Sequence, residues 1–280
     1  MNKMSRIGKV MSEIRDIPKV ITTISNWWVY FLNLAGLSKK GTVFKLRNGL
    51  KFIIRPHSFD IRMIKEVFIY DPYHRMKIKQ RDVVVDIGAH IGTFAIMAGR
   101  KTGKKGRVIA YEPVPETFEV LRRNIQINSL KKIVYPYKRC ISGKSGKKAL
   151  FLFKKDNEPL FHSSSLYREQ SDAITATTSE ALEVECITLK DIFESNGLNK
   201  IDVLKIDCEG EEYKIIFDTS KEYFERIDKI GIEYHDYLSD KYNHQDLINY
   251  LKELQFGVYH DIPRNSEEGC GIIYACRVDK

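Results

Sequence analysis

Four short runs hold most of the residues whose types and spacing could do chemistry. In VVVDIGAHIGTFAIMAG an apolar stretch ends near Asp86 and turns through Gly88 and Gly92, a G-x-x-x-G spacing. Glycines there let the backbone approach a bound nucleoside, and the N–H groups of a following helix start are free to bond it. A dinucleotide calls for G-x-G-x-x-G, but His90 stands where the second glycine of that pattern would be, which argues against NAD and FAD. Glu112, in YEP, ends the next predicted strand, where a carboxylate can accept hydrogen bonds from both hydroxyls of a ribose. Asp86 would then face the amino-acid portion of a ligand, its positive charges attracted to the carboxylate in a partly dry cleft. KIDCEGEE supplies Lys205, Asp207 and Glu209, and IEYH supplies Glu233 and His235. Asp207 and Glu209 alternate around Cys208, so one can address a cofactor and the other an acceptor. His235 has an ordinary titration near neutrality and is a candidate general base.

Each of these residues also has a plainer role. Asp207 and Glu209 precede Gly210 and a predicted helix, so they could serve as an N-cap and a first-turn charge. His235 could be an ordinary loop histidine. Together Asp207, Glu209, Glu233 and His235 offer the oxygen and imidazole donors that suit Mg or Mn, but no metal is assigned.

To bring these runs together, the chain from Asp82 onward alternates β-branched apolar runs with amphipathic segments, the pattern of βαβ units and a mostly parallel sheet. Strands are predicted at Val83–Ile87, Val108–Glu112, Ile133–Cys140, Val203–Asp207, Lys229–Tyr234, Phe256–Asp261 and Ile272–Arg277. Helices fit at Thr93–Lys101, Pro115–Asn128, Leu189–Glu194, Glu211–Phe217 and Gln245–Leu254. Only Ile262–Gly271 separates the last two strands, too little for a crossover helix, so they should pair antiparallel. Between Ser142 and Glu183 the chain is rich in Ser and Thr and lacks helical periodicity. Short strands are expected there at Ala149–Phe153 and just after it at Val184–Ile187, in an insertion that hangs over the strand ends and shapes the acceptor site.

In order along the chain, DIGAHIGTF, YEPVPETFEVLRRNIQIN, HSSS, VECITL, VLKIDCEGEE and IEYH resemble the FkbM-type methyltransferases, from about Asp60 to His235. That resemblance implies an α/β, Rossmann-like class I methyltransferase fold. Its seven-stranded, mostly parallel sheet has the order 3-2-1-4-5-7-6, with the last strand antiparallel. It also implies S-adenosylmethionine as cofactor and O-methylation of a hydroxyl on a sugar, glycan or other small biosynthetic acceptor. The cofactor pocket is accordingly expected to draw on Asp86, Gly88, His90, Gly92, Thr93, Glu112, Pro113, Ser142, Asp207 and Glu66. Ser163–Ser165 and Tyr73 are secondary candidates. Methyl transfer from a sulfonium is an in-line displacement, so the acceptor oxygen must be aligned and water expelled. Because a sugar hydroxyl is not acidic, His235 or Glu209 is expected to take its proton, aided by Lys205.

The N-terminal part reads differently. Residues 1–75 form a helical and hairpin cap ahead of a catalytic domain at 76–280. Thr42–Leu46 and Leu50–Ile54 flank Arg47-Asn48-Gly49, a hairpin signal, and Ile61–Tyr70 reads as a helix ended by Asp71-Pro72. From Val20 to Ser38 no formal charge occurs, and Trp27, Trp28, Tyr30 and Phe31 are present between flanking lysines. Thr22, Thr23, Ser25, Asn26 and Asn33 dilute this stretch too much for a membrane span. It is expected to pack as a helix on the catalytic domain or, alternatively, to lie at a membrane surface.

With 46 Lys and Arg against 37 Asp and Glu, the chain has a formal charge of +9. Such a charge would attract nucleic acid, an anionic membrane or a phosphorylated substrate, or merely be a solvated surface. Five cysteines without a C-x-x-C pair indicate neither a disulfide framework nor a zinc knuckle, and Met1–Lys19 lacks a secretory pattern. A cytoplasmic location is expected, with peripheral membrane contact open through residues 20–38. An RNA methyltransferase is the main alternative, since IGTFAIMA and RRNIQIN look similar to archaeal-type tRNA guanine methyltransferases. Those carry N-L-P or N-P-P-Y where this chain has KIDCEGEE, and carboxylates suit a hydroxyl better than a stacked base, so a nucleic-acid partner is disfavoured. A non-catalytic binding protein would show eroded ligand residues, whereas Gly88, Gly92, Glu112, Asp207 and Glu209 are all present.

Overall fold

The computed structural model describes residues 15–39, 41–56, 58, 60–155, 158–166, 178–239, 241–262 and 269–278. It divides into two units, Met1–Asp71 and Pro72–Lys280.

In the first unit, helix α1 spans residues 15–23 and α2 spans Trp28–Leu34. The predicted hairpin is present as β1 (Val43–Lys45) and β2 (Lys51–Ile53), paired antiparallel with Phe44 opposite Phe52. Its three-residue loop closes on Gly49 at φ 90°, with the Asn48 side chain accepting the Leu50 N–H. The predicted helix begins as α3 (Asp60–Lys65) and widens into a π-helical turn at Glu66–Tyr70. Asp71 then enters the left-handed region at φ 45°, and Pro72 blocks continuation. A buried ion pair, Asp16 to Lys65 at 2.7 Å, ties α1 to α3, and the Tyr70 hydroxyl also donates to Asp16. Trp27, Trp28, Leu32, Leu34 and Leu37 are exposed. No helix among the described residues is long and apolar enough to cross a membrane.

The second unit runs β3 (Val83–Ile87), α4 (Thr93–Thr102), β4 (Arg107–Tyr111), α5 (Pro115–Ile127), β5 (Val134–Tyr137) and β6 (Cys140–Ile141). The insertion follows as β7 (Gly146–Lys155), β8 (Glu158–Ser165) and β9 (Thr178–Ile187). The chain then continues through α6 (Leu189–Ser195), β10 (Ile201–Ile206), α7 (Glu212–Phe217), α8 (Lys221–Phe224) and β11 (Ile227–His235). It ends with α9 (His244–Glu253), β12 (Phe256–Asp261) and β13 (Cys270–Arg277).

Seven strands form the main sheet in the order β12-β13-β11-β10-β3-β4-β5, with β13 antiparallel to both neighbours. Numbered within the sheet, this is the expected 3-2-1-4-5-7-6 arrangement of a class I methyltransferase, mostly parallel and Rossmann-like. The parallel centre is apolar because both of its faces are covered. Helices α6, α7 and α9 contribute Phe193, Ile215, Ile216 and Leu251 to a core with Val85, Leu204, Ile206 and Ile230. Val84, Val85 and Ile87 of β3 are each at most 1% exposed, and burying each contributes about 1.5–3 kcal/mol. That outweighs the several kcal/mol needed to bury the Asp86 carboxylate among them.

Two expectations are corrected. The predicted strand Ile133–Cys140 is divided, because β5 belongs to the main sheet while β6 joins a second sheet of order β6-β9-β7-β8. Pro136 is tolerated in β5 because that strand is an edge. The insertion, expected to carry only two short strands, instead forms a long antiparallel arm. Its alternation is real: Leu150, Val184 and Cys186 are buried in a small core with Cys140 and Val114, while Lys147, Glu183 and Glu185 face out. Residues 167–177 of the insertion and 263–268 of the β12–β13 connection lie outside the described residues.

Candidate active site

The chemistry-bearing residues sit at the C-terminal ends of adjacent parallel strands, where open α/β sheets collect ligands. Asp86 is on β3, Glu112 follows β4, Lys205 and Asp207 lie at the end of β10, and Glu233 and His235 close β11.

Past β3 the chain turns through Gly88 at φ 75°, His90 at φ 50° and Gly92 at φ 89°. Histidine is among the few non-glycine residues enriched in that region. The protein itself also requires these glycines. A Cβ on Gly88 would lie 1.7 Å from the Asp207 carbonyl oxygen, and one on Gly92 would lie 2.5 Å from Leu121 Cδ1. The turn presents the His90 N–H to Glu112 Oε2 at 3.0 Å, while Glu112 Oε1 accepts the Val114 N–H at 2.9 Å. Glu112 is thereby fixed beside the turn, with Pro113 next to it and Thr93 buried at the head of α4.

Lys205 is buried between carboxylates. Its Nζ is 3.3 Å from Asp86 Oδ1 and 3.1 Å from Asp207 Oδ2, and it donates to the Gly88 carbonyl at 3.2 Å. The rings of Tyr73 and Phe94 flank the ammonium. Burial alone would lower the Lys205 ammonium, but the charges of Asp207 and Asp86 outweigh it and raise it above its ordinary value. Lys205 therefore stays cationic and acts as a fixed counter-charge. Asp86 is fully buried, and its contact with Lys205 is an ion pair without hydrogen-bond alignment, so neither of its oxygens accepts a hydrogen bond.

After β10 the chain makes a second unusual turn, with Glu209 at φ 56° and Gly210 at φ 106°. Glu212, fully buried, holds this turn by accepting the N–H groups of Cys208 at 3.0 Å and Gly210 at 2.8 Å. The same carboxylate contacts His235 Nδ1 at 3.1 Å. His235 Nε2 then points toward Glu209 Oε2, 3.8 Å away. The Ser165 hydroxyl at the end of β8 donates to the Glu209 carbonyl at 2.7 Å, so the arm reaches the site through the serine run. Burial pushes the Glu209 carboxyl up to about 7, with His235 pulling against it and the charges of Asp207, Glu212 and Glu233 adding to it. Burial would lower His235, but Glu209 and Glu212 raise it well above its usual value. Both shifts share one cause, the crowding of acidic groups around a buried imidazole.

The region from Asp86 to Val258 matches the model of the methyltransferase FkbM domain. The chain belongs to the FkbM methyltransferase family. This FkbM-family methyltransferase is 27% identical over 188 residues to Methyltransferase sdnD of Sordaria araneosa, covering 60% of this chain and 72% of that protein. It is 26% identical over 197 residues to 31-O-demethyl-FK506 methyltransferase FkbM of Streptomyces tacrolimicus, covering 62% and 74%. Hexuronic acid methyltransferase AglP of Haloferax volcanii is 26% identical over 138 residues, covering 49% of this chain and 50% of that protein.

Family and fold imply S-adenosylmethionine as the cofactor, and the residues fit it. A buried carboxylate without hydrogen bonds at Asp86 and a second carboxylate at Glu112 flank the Gly88–Gly92 turn. Ser142 is fully buried and bonded to Glu211 and Lys148, so its hydroxyl is committed to the protein. Glu66 lies on the π-helical turn of the first unit. Glu212 was not anticipated, because nothing in the spacing of KIDCEGEE reveals that its carboxylate meets an imidazole from the next strand.

Proposed function

We propose that this FkbM-family enzyme transfers the methyl group of S-adenosylmethionine to a hydroxyl of a sugar, glycan or other small biosynthetic acceptor, with Glu209 receiving the hydroxyl proton. The observation that carries the proposal is the Glu209–His235–Glu212 cluster at the ends of β10 and β11, beside the strand tips that bear Asp86 and Glu112. Two relatives, 31-O-demethyl-FK506 methyltransferase FkbM and hexuronic acid methyltransferase AglP, support acceptors of this kind.

S-adenosylmethionine supplies an electrophilic methyl on a sulfonium. The chain's residues position and deprotonate. Glu112 would hold the ribose hydroxyls, and Asp86 with Lys205 would set the charge around the amino-acid end. An acceptor hydroxyl beside Glu209 loses its proton to that carboxylate as its oxygen forms the new C–O bond. On bound S-adenosylmethionine the C–S bond to that methyl would break in the same displacement, its electron pair remaining on sulfur. Exposure of Trp27, Trp28 and Leu34 supports peripheral membrane contact through residues 20–38 as part of the same proposal.

The test is a methyl-label screen of glycan and small-molecule fractions with wild type and Glu209→Gln. Turnover should fall about 10²–10⁴-fold, the usual loss on removing a general base, at unchanged cofactor affinity. Full activity in the variant removes Glu209 from the chemistry.

A further inference from the structure

The sequence alone assigns no metal, but the geometry points to one. We infer that Asp207, Glu233 and His235 form a site for a hard divalent cation of the Mg²⁺ or Mn²⁺ class. One ligand atom from each of the three lies within 4.8 Å of the others. Ligands about 2.1 Å from such a cation stand at most about 4.2 Å apart, so closure asks only for a small side-chain adjustment. Glu209, which the sequence groups with these three, lies outside the set.

Each ligand is anchored through one atom and keeps another. Asp207 Oδ2 accepts from Lys205, Glu233 Oε2 accepts from the Tyr73 hydroxyl at 3.2 Å, and His235 Nδ1 meets Glu212. Among the described residues no hydrogen bond is found for Asp207 Oδ1, Glu233 Oε1 or His235 Nε2. His235 is 4% exposed, and its Nε2 faces the acidic cluster, 3.8 Å from Glu209 Oε2. A carboxylate on the far nitrogen of an imidazole is the arrangement that orients metal-bound histidines, and Glu212 occupies that place as a positioning residue.

Charge points the same way. Asp86, Asp207, Glu209, Glu212 and Glu233 crowd around two cationic side chains, Lys205 and His235. Even with the single net positive charge of S-adenosylmethionine added, acidic side chains outnumber basic ones here, an imbalance in a space partly withdrawn from water. A divalent cation offsets it and displaces the imidazole proton on binding. Two oxygens and one nitrogen, rather than thiolates, select a hard cation and leave further positions open. If methyl transfer is the reaction, an open position takes the acceptor hydroxyl and raises its acidity, the property a sugar hydroxyl lacks. This last step rests on the proposed function; the cation site does not.

The experiment titrates the chelator-stripped full-length protein with Mn²⁺ at neutral pH, followed by electron paramagnetic resonance. A single saturable Mn²⁺ is expected, with spin-echo modulation from an imidazole nitrogen. Affinity should fall at least about tenfold in His235→Gln and Asp207→Asn, and about 10- to 100-fold in Glu212→Gln. Should a variant fail to fold, the nitrogen modulation of the wild type decides alone. Absence of saturable binding, or bound Mn²⁺ without nitrogen coupling, overturns the site. Calorimetry with S-adenosylmethionine separates the two ideas. Cofactor binding without Mn²⁺ binding rejects the metal and spares the methyltransferase assignment. Mn²⁺ binding without cofactor binding supports the site and rejects its service to methyl transfer.

Discussion

Both oxygens of Glu112 accept backbone N–H groups, and because a carboxylate has about four acceptor positions, these bonds are compatible with a ribose hydroxyl bonding there as well. The backbone bonds aim the group. In Glu112→Ala the affinity for S-adenosylmethionine should drop at least about tenfold, about 1.4 kcal/mol for lost charge-assisted hydrogen bonds. Calorimetry checks this, and equal affinity in the variant removes Glu112 from the cofactor site. Two glycines show how the same backbone conformation carries different costs. Gly49 and Gly88 both have positive φ, but a Cβ at Gly49 meets open space, whereas one at Gly88 runs into the Asp207 carbonyl. Alanine at Gly49 should cost only the conformational penalty, about 1–2 kcal/mol. Alanine at Gly88 adds a backbone collision that no rotamer relieves, and should cost about 3 kcal/mol or more. Urea midpoints of the two variants decide the matter, and equal losses would show that the β3 and β10 turns do not approach so closely.

Between α1 and α3 the Asp16–Lys65 pair makes the first unit sensitive to acid. Burial would raise Asp16, but hydrogen bonds from Lys65 and Tyr70, with the Lys65 charge, hold it below its ordinary value. A carboxylate lowered on folding stabilises the folded state fully above its unfolded value, and that contribution is lost as pH falls through the folded one. Below about pH 4 this unit should loosen. Trp27 and Trp28, the chain's two tryptophans, report on it by fluorescence, and Asp16→Asn should lose the pH dependence and show lower stability at neutrality. A wild-type signal that stays flat from neutrality to pH 3 would count against the pair. The strands of the main sheet were legible in sequence because parallel strands covered on both faces are continuous apolar runs, as in VVVDI and IDVLKI. The reversed last strand was legible from the shortness of Ile262–Gly271. The arm was not, because Ser and Thr obscure an alternation whose buried side includes Leu150, Val184 and Cys186 against Cys140. At the site, sequence spacing placed Asp86, Glu112, Asp207 and His235 at strand ends. It could not reveal that Glu209 adopts φ 56° or that Glu212 links two strands, since both depend on neighbours distant in sequence.

On the scale of the whole molecule, a net charge of +9 and an aromatic N-terminal unit make separable contributions to surface binding. Charge attracts an anionic bilayer over a Debye length, roughly 10 Å at 0.1 M salt, and is screened beyond it. Trp27, Trp28, Leu34 and Leu37, the last 65% exposed, act only on contact, through burial of apolar surface at the headgroup boundary. The protein should therefore sediment with anionic vesicles at low salt, more weakly with neutral ones, and retain part of its binding when salt is raised. Tryptophan emission should shift to the blue on binding, because both indoles lie in this unit. Replacing Trp28 and Leu34 with serine should abolish the salt-resistant fraction and the shift, while the salt-sensitive fraction persists. Binding that vanishes entirely with salt would assign the attraction to charge alone, and the exposed aromatic face would then have no part in it.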